Sequence, residues 1–237
     1  MKEHNSFLKG ITDGLPICFG YLSVAFAFGI FAVQSGLSAI ESLLISMTNL
    51  TSAGQLAAVP IIASGGTLVE LAVAQLIINL RYALMSVSLS QKLGKSVRSI
   101  DRFIIAFGNT DEVFGVASSK DGTVGRNYLY GLILTPFIGW SSGTILGAVA
   151  GDILPESVTS ALGIAIYGMF VAIVVPAAKK DKATAICALV AIALGCIFRF
   201  VPTLSKIPSG FVIIICASIA SALLAIVAPI KKAQEAQ

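Results

Sequence analysis

Long apolar stretches separated by short polar links dominate the chain. They form eight segments, Leu15–Val33, Ile40–Ile62, Leu68–Leu89, Phe103–Ala117, Tyr128–Ala150, Val158–Ala178, Ala183–Phe200 and Phe211–Ile230. About 20 apolar residues in a helix match the roughly 30 Å hydrocarbon core of a bilayer. A membrane-spanning barrel would instead show short strands that alternate apolar and polar residues. The pattern therefore predicts an all-α, polytopic membrane helix bundle of six to eight hydrophobic segments.

Polar residues interrupt two of these segments. The second segment carries a polar stretch from Thr48 to Gln55 at its centre, and the short fourth segment carries Gly108 to Glu112. Non-helical backbone is tolerated at membrane depth where it is buried in protein or lines a wet cavity. We therefore expect one or two broken or re-entrant helices. A helix that is broken at mid-membrane but still crosses would explain the same polarity.

The positions of the basic residues bear on the number of crossings. Cytoplasmic loops carry an excess of Lys and Arg. If all segments crossed fully from a cytoplasmic N-terminus, the basic cluster Lys92 to Arg102 would lie outside the cell. Six full crossings with two re-entrant segments, the second and the fourth, place every major basic cluster inside and require Lys95 and Lys120 to be cytoplasmic.

Composition supports a membrane protein and excludes several other classes. The 237 residues are 56% hydrophobic and only 12% charged, against about 25% charged in a typical soluble domain. This composition excludes a water-soluble enzyme, a disordered chain and a disulfide scaffold, and it predicts a single transmembrane domain over residues 1–237. The net charge of +4 comes from short clusters between apolar runs and is no nucleic-acid signal.

The polar stretch of the second segment is the first candidate site. Asn49, Ser52 and Gln55 would sit near backbone groups that a helix break leaves free. A half-helix N-terminus there can hold a carboxylate, and free carbonyls can hold a cation or ammonium. The alternative is that small polar residues simply join helices, as they commonly do in membranes.

The third segment carries a second group of polar residues. Asn79 follows Gln75 by four residues and shares its helix face, whereas Arg81 lies off that face. Arg81 could bind a substrate carboxylate or pair with Asp111 or Glu112. The alternative is that its side chain reaches the cytoplasmic headgroups. We expect Glu70, near the start of the segment, to be interfacial.

The fourth segment carries the third group, Asn109, Asp111 and Glu112. Adjacent carboxylates between apolar runs are hard to place against lipid, and burial would let one of them exchange a proton or bind an ammonium during transport. A loop between two short helices is the alternative.

The remaining sequence motifs give no further candidate site. Gly139, Gly143 and Gly147 form small-xxx-small patterns that predict close helix contact. The chain lacks nucleotide-binding, metalloprotease and nucleophile-elbow motifs and has a single His, His4, so we expect no enzyme activity, no cofactor and no metal site. Pro16 with Gly20-Tyr21-Leu22-Ser23 is echoed by Pro136 with Gly139-Trp140-Ser141-Ser142, which suggests an internal repeat.

Four short motifs resemble the AzlC family of branched-chain amino acid permeases in order and spacing. They are Asp13 to Gly29, Ser52-Ala-Gly-Gln55-Leu-Ala-Ala, Asn79-Leu-Arg81-Tyr82 and Asn109-Thr-Asp111-Glu112-Val-Phe114. The resemblance implies a multi-pass protein of the cytoplasmic membrane that exports leucine, isoleucine or valine. It also implies a small membrane partner of the AzlD type that is needed for transport.

These observations predict a secondary transporter, with proton coupling as the expected drive. The substrate-binding residues we expect are Asn49, Ser52, Gln55, Asn79, Arg81, Asn109, Asp111 and Glu112. One alternative is a membrane scaffold or assembly subunit without a transport path, in which these residues would face partner helices. An ion or water channel is a further alternative, although no ring of charged residues is evident.

Overall fold

The computed structural model describes residues 3–155, 157–158, 171, 174–176, 178–179, 181–207 and 209–227. Within these ranges the helices are α1 Phe7–Gln34, α2 Ala39–Thr48, α3 Ala53–Ala63, α4 Leu68–Ser90, α5 Ser99–Phe107, α6 Asp111–Ser118, α7 Arg126–Ile153, α8 Lys182–Phe200 and α9 Ser209–Val227. Two short strands, β1 Glu3–His4 and β2 Thr123–Val124, and a 3₁₀ turn, Leu204–Lys206, complete these elements. The predicted helical membrane bundle is confirmed, with the two-residue strands as a small exception to the all-α expectation.

The predicted segments correspond closely to these helices. In the described parts of the chain, α1, α4, α7 and α8 are long and apolar enough to span a membrane by length and composition. α2, α3 and α9 are shorter apolar helices. The predicted segment Val158–Ala178 lies largely outside the described residues. The second and fourth segments each form two short helices, which confirms that both are interrupted.

One end of the bundle collects the starts of α1 and α7 and the end of α4. β1 pairs with β2 in parallel, and Leu93, just after α4, bridges to Val124. The Glu3 carboxylate also accepts a hydrogen bond from the Ser96 hydroxyl. We call this the basic end, because seven of the described bases lie there: Lys9, Lys92, Lys95, Arg98, Arg102, Lys120 and Arg126.

The opposite end, which we call the far end, holds the start of α4 and the start of α9. There the Glu70 carboxylate accepts a hydrogen bond from the Gly210 backbone N–H at 3.0 Å. Glu70 is only 4% exposed, because its carboxylate is the partner of a buried backbone donor at the start of α9. It lies in the first turn of α4, and its interfacial position stays a prediction.

Helices α2 and α3 form a re-entrant hairpin. A link of four residues at the far end joins the end of α1 to the start of α2, and α3 ends shortly before α4 begins, also at the far end. The chain therefore enters the bundle and returns, and the alternative of a broken but crossing helix is wrong. Ser38 fixes the start of α2 through a capping box with Glu41.

Helices α5 and α6 form a second hairpin that enters from the basic end. α5 begins close to Ser96, and α6 ends just before β2, both at the basic end. The hairpin turns at Gly108 to Thr110, where the Thr110 hydroxyl caps α6 by accepting from the Val113 N–H. The cluster Lys92 to Arg102 thus lies at the same end as the N-terminus, as positive-inside topology requires.

Helices α1 and α7 run parallel and form the tightly packed centre of the bundle. A Cβ added at Gly139, Gly143 or Gly147 would lie 2.5, 2.4 or 1.9 Å from a backbone oxygen of α1. These three glycines therefore allow the two backbones to approach closely, as their spacing predicts.

The parallel packing also bears on the internal repeat. β1 pairs with β2 at Glu3↔Thr123 and His4↔Val124, and each strand leads into a helix of 28 residues that contains a proline, Pro16 in α1 or Pro136 in α7. The two strand–helix units therefore match in structure as well as in sequence, and they point in the same direction.

Candidate functional site

The turns of the two re-entrant hairpins meet beside the middle of α1, α4 and α7 and border an open cavity of about 680 Å³. We call it the central cavity. Its polar lining consists of Thr51, Ser52, Arg81, Tyr82, Thr110, Asp111 and Glu112. Its remaining lining is apolar or aromatic, from Pro16, Ile17, Gly20, Tyr21, Val24, Leu50, Ala53 and Trp140. Because each hairpin reaches only partway through the bundle, the cavity lies at mid-depth between the two ends.

An ion pair joins α4 to the α5–α6 hairpin in this cavity. A guanidinium nitrogen of Arg81 lies 2.7 Å from a carboxylate oxygen of Asp111. The Arg81 side chain is 51% exposed and that of Asp111 is 47% exposed, so both can be reached from the cavity. The alternative that Arg81 extends to the headgroups is therefore wrong.

Tyr82 holds the Arg81 guanidinium from a second direction. A guanidinium nitrogen donates to the Tyr82 hydroxyl at 2.9 Å, and the guanidinium carbon lies 4.7 Å from the centroid of the Tyr82 ring. A cation over an aromatic face is attracted by the ring quadrupole. The position of the positive charge is thus fixed by both Asp111 and Tyr82.

The second carboxylate of α6 is bound by an aromatic pair. The Tyr21 hydroxyl donates a hydrogen bond to the Glu112 carboxylate. The Tyr21 ring packs edge-on against Trp140, with the centroids 5.1 Å apart. Sequence reasoning did not single out Tyr21 or Trp140 as cavity residues. The sequence did contain one signal: each of the two follows a glycine of the internal repeat, Gly20 before Tyr21 and Gly139 before Trp140.

The N-terminus of α3 opens onto the central cavity. Ser52, the residue before the helix, has a φ of +51° and makes no capping hydrogen bond through its side chain. The first N–H groups of a helix have no partner within the helix and carry its positive dipole end. Since Ser52 and Ala53 line the cavity, this terminus adds a second anion-binding feature near Arg81.

An amide network behind the cavity wall holds the turn of the α2–α3 hairpin. Gln75 on α4 accepts hydrogen bonds through its amide oxygen from Asn49 at 3.1 Å and Asn79 at 3.0 Å. Its amide nitrogen donates to the Gly54 carbonyl at 2.8 Å. A Cβ at Gly54 would lie 2.3 Å from the Thr51 hydroxyl oxygen and 2.6 Å from the Gln75 amide oxygen, so a side chain there would displace these groups. Asn49 and Asn79 therefore position the hairpin rather than line the cavity.

Gln55 and Asn109 also lie outside the lining of the central cavity. Gln55 is fully buried and donates to Ser46 at 2.9 Å, and Ser46 in turn contacts Thr144 on α7 at 2.6 Å. Asn109 is 2% exposed and donates to Ser86 on α4 at 3.2 Å. Of the eight expected site residues, the structure brings Ser52, Arg81, Asp111 and Glu112 together in the cavity.

The site contains charges and hydrogen-bonding groups but no constellation for bond-making chemistry. Among the described residues, no group of three or more His, Cys, Asp or Glu is placed to hold a metal ion. The absence of enzyme activity and of cofactors stays a prediction. What the arrangement offers is a positive group, two carboxylates and an apolar surface around one space.

Comparisons with known proteins show which family and which relatives this chain resembles. The family model described as AzlC protein matches residues 16–154, which include both hairpins and the whole central cavity. The inner membrane protein YgaZ of Escherichia coli (strain K12) is 28% identical over 202 residues, which cover 82% of this chain and 82% of the relative.

Two further relatives are described only as uncharacterized membrane proteins. The one from Archaeoglobus fulgidus is 33% identical over 181 residues, or 76% of this chain and 79% of the relative. The one from Helicobacter pylori (strain 26695) is 23% identical over 155 residues, or 62% of this chain and 67% of the relative. No solved structure matches the chain.

Proposed function

The chain belongs to the AzlC family of membrane proteins, and from that premise we propose that it exports branched-chain amino acids across the cytoplasmic membrane as a secondary transporter. The observation that carries the proposal is the central cavity, in which Arg81 and Asp111 both face the open space at mid-depth. Ionisable side chains inside a membrane commonly mark the path of the transported solute.

The charged groups of the cavity suit the two charged ends of an amino acid. The substrate carboxylate binds the Arg81 guanidinium and the free N–H groups at the start of α3, and the substrate ammonium binds Asp111. Without substrate, Arg81 and Asp111 neutralise each other at 2.7 Å. A substrate that carries both charges replaces this ion pair without leaving either group unpaired. A monocarboxylate or a simple amine would leave one of them without a partner.

Glu112 is the group that we assign to proton coupling. Its carboxylate accepts a hydrogen bond from Tyr21 and lines the same cavity as Asp111, its neighbour in the chain. We propose that the substrate ammonium and a proton bind alternately at these two neighbouring acidic side chains, which line the same cavity. Export of substrate is then linked to proton movement in the opposite direction.

The resemblance also supports the proposal of a small membrane partner of the AzlD type. We propose that transport requires both subunits, which predicts that a preparation of this chain alone gives little flux. The lipid bilayer is their shared environment, and nucleic acids have no part in the function.

Efflux from proteoliposomes tests the proposed function. Vesicles with the chain, with and without the small partner, are loaded with labelled leucine, and efflux is measured under imposed pH gradients. We expect saturable efflux that unlabelled isoleucine and valine inhibit and that the Arg81→Ala substitution abolishes. The absence of leucine-specific efflux in both preparations under every gradient would defeat the proposal.

The same preparation separates a transporter from a scaffold subunit. In a scaffold, Arg81 and Asp111 would serve assembly, so their substitution would lower the recovery of the complex and leave the flux per recovered complex unchanged. In a transporter, the substitutions lower the flux per complex.

A further inference from the structure

The apolar part of the central cavity has an open recess beside α1 at Gly20. Pro16, Gly20 and Val24 are spaced by four residues, share one face of α1 and all line the cavity. A Cβ added at Gly20 would meet no heavy atom within 4 Å. The space beside this glycine is therefore free for a ligand.

Helix packing does not account for Gly20. A Cβ at Gly10 or Gly29, also on α1, would lie 2.1 or 2.2 Å from a backbone oxygen of α7, so these positions need glycine for close contact. Gly20 makes no such approach. Alanine is the better helix former, so α1 gains no stability from glycine at this position. What the missing side chain provides is volume in the cavity.

We propose that Gly20 sets the upper size of the apolar side chain that the transporter accepts, an inference that rests on the proposed function. Arg81 and Asp111 fix the charged end of the substrate and leave its side chain to occupy the apolar part of the cavity. A branched side chain of the size of leucine would occupy the recess beside Gly20. A side chain added at position 20 fills the recess and excludes larger substrates before smaller ones.

A size series in proteoliposomes tests this inference. Efflux of leucine, valine and alanine is compared for the unaltered protein, Gly20→Ala and Gly20→Val, with the small partner present. Gly195→Val is the matched control, because a Cβ at Gly195 also meets no heavy atom within 4 Å but lies on α8, away from the cavity lining. Thermal unfolding in detergent checks that each variant is folded.

The expected result is a change in selectivity rather than a general loss. Gly20→Val lowers the ratio of leucine to alanine efflux by about tenfold or more, since one methylene in an apolar pocket is worth at least that factor. Gly20→Ala lowers the ratio by a smaller factor, and Gly195→Val leaves it unchanged.

Two results overturn the inference while leaving the proposed function in place: an unchanged ratio in folded Gly20→Val, or an equal loss of all three substrates. If Gly20→Val is not recovered in folded form, Gly20→Ala decides by the same criteria. An unaltered protein that moves none of the three amino acids overturns the proposed function, and the inference with it.

Discussion

Arg81 and Asp111 can lie at mid-membrane depth because their opposite charges neutralise each other. A lone charge there is costly, whereas a close pair with further hydrogen-bond partners is tolerated. Tyr82 supplies the additional partner for the guanidinium. The pair remains about half exposed to the cavity, so that solvent or substrate can compete for it. The same residues thus explain both how the charges are accommodated and how they are available for binding.

Replacing Asp111 with Asn tests the role of this carboxylate. The substitution keeps the size of the side chain but removes the charge that balances Arg81 and that we propose to hold the substrate ammonium. We expect leucine efflux per folded protein to fall at least about tenfold, which corresponds to about 1.4 kcal/mol. Asp121→Asn, in the exposed loop before β2, is the control and should leave efflux unchanged. Normal efflux by Asp111→Asn would remove this residue from the proposed site.

Glu70 is expected to act on stability and not directly on transport. The Glu70→Ala substitution leaves the buried N–H of Gly210 without its acceptor. A buried unsatisfied donor costs about 1–3 kcal/mol, so thermal unfolding in detergent should shift to lower temperature. Asp121→Ala, in the exposed loop before β2, serves as comparison and should shift unfolding less. An unchanged unfolding temperature in Glu70→Ala would show that this hydrogen bond contributes nothing to stability.

At the scale of helices, sequence patterning predicts most elements but not their meeting points. The segments and the interruptions at Asn49 to Gln55 and at Gly108 to Glu112 follow from polarity alone. That the two turns reach a common cavity depends on contacts between residues far apart in the chain, such as Tyr21 with Glu112. No local pattern encodes these contacts. For the same reason, the sequence could not show that Ser52 lines the cavity whereas Gln55 packs against Ser46.

The glycine contacts between α1 and α7 give a prediction for helix packing. A Cβ at Gly147 would lie 1.9 Å from the Phe26 carbonyl oxygen, so the Gly147→Ala substitution forces the two backbones apart. Overpacking of this kind costs about 1–3 kcal/mol, and thermal unfolding in detergent should show the loss. Gly195→Ala, at an open position, should be neutral or slightly stabilising. Equal effects of the two substitutions would argue against the close approach of α1 and α7.

At the scale of the whole molecule, the bundle has two chemically different ends. Most of the described bases lie at the basic end, whereas Arg199 and Lys206 lie near the far end, close to the start of α9. The positive-inside tendency therefore orients the basic end toward the cytoplasm. One hairpin then enters the membrane from each side. The cavity lies where these hairpins meet, which is the position that the proposed transport by alternating access requires.

Thiol labelling from one side of the membrane tests this topology. In a protein without its native cysteines, Lys95→Cys and Lys120→Cys should react with a membrane-impermeant reagent only from the cytoplasmic side. Gly36→Cys and Gly65→Cys, in the links that flank the α2–α3 hairpin, should react only from the outside. Both glycines have positive φ, so each Cys substitution strains the backbone, and thermal unfolding in detergent checks that each variant is folded. Labelling of Lys95→Cys from the outside would contradict the two-hairpin arrangement.

The most direct test of a solute site between the hairpins is protection of a single cysteine by substrate. Val24→Cys places a thiol in the lining of the central cavity, and Asp121→Cys places one in an exposed loop. The account predicts that leucine, at concentrations that saturate efflux, slows modification of the thiol in Val24→Cys but not in Asp121→Cys. It also predicts that leucine no longer protects Val24→Cys when the Asp111→Asn substitution is added. Modification of Val24→Cys at the same rate with and without leucine would contradict it.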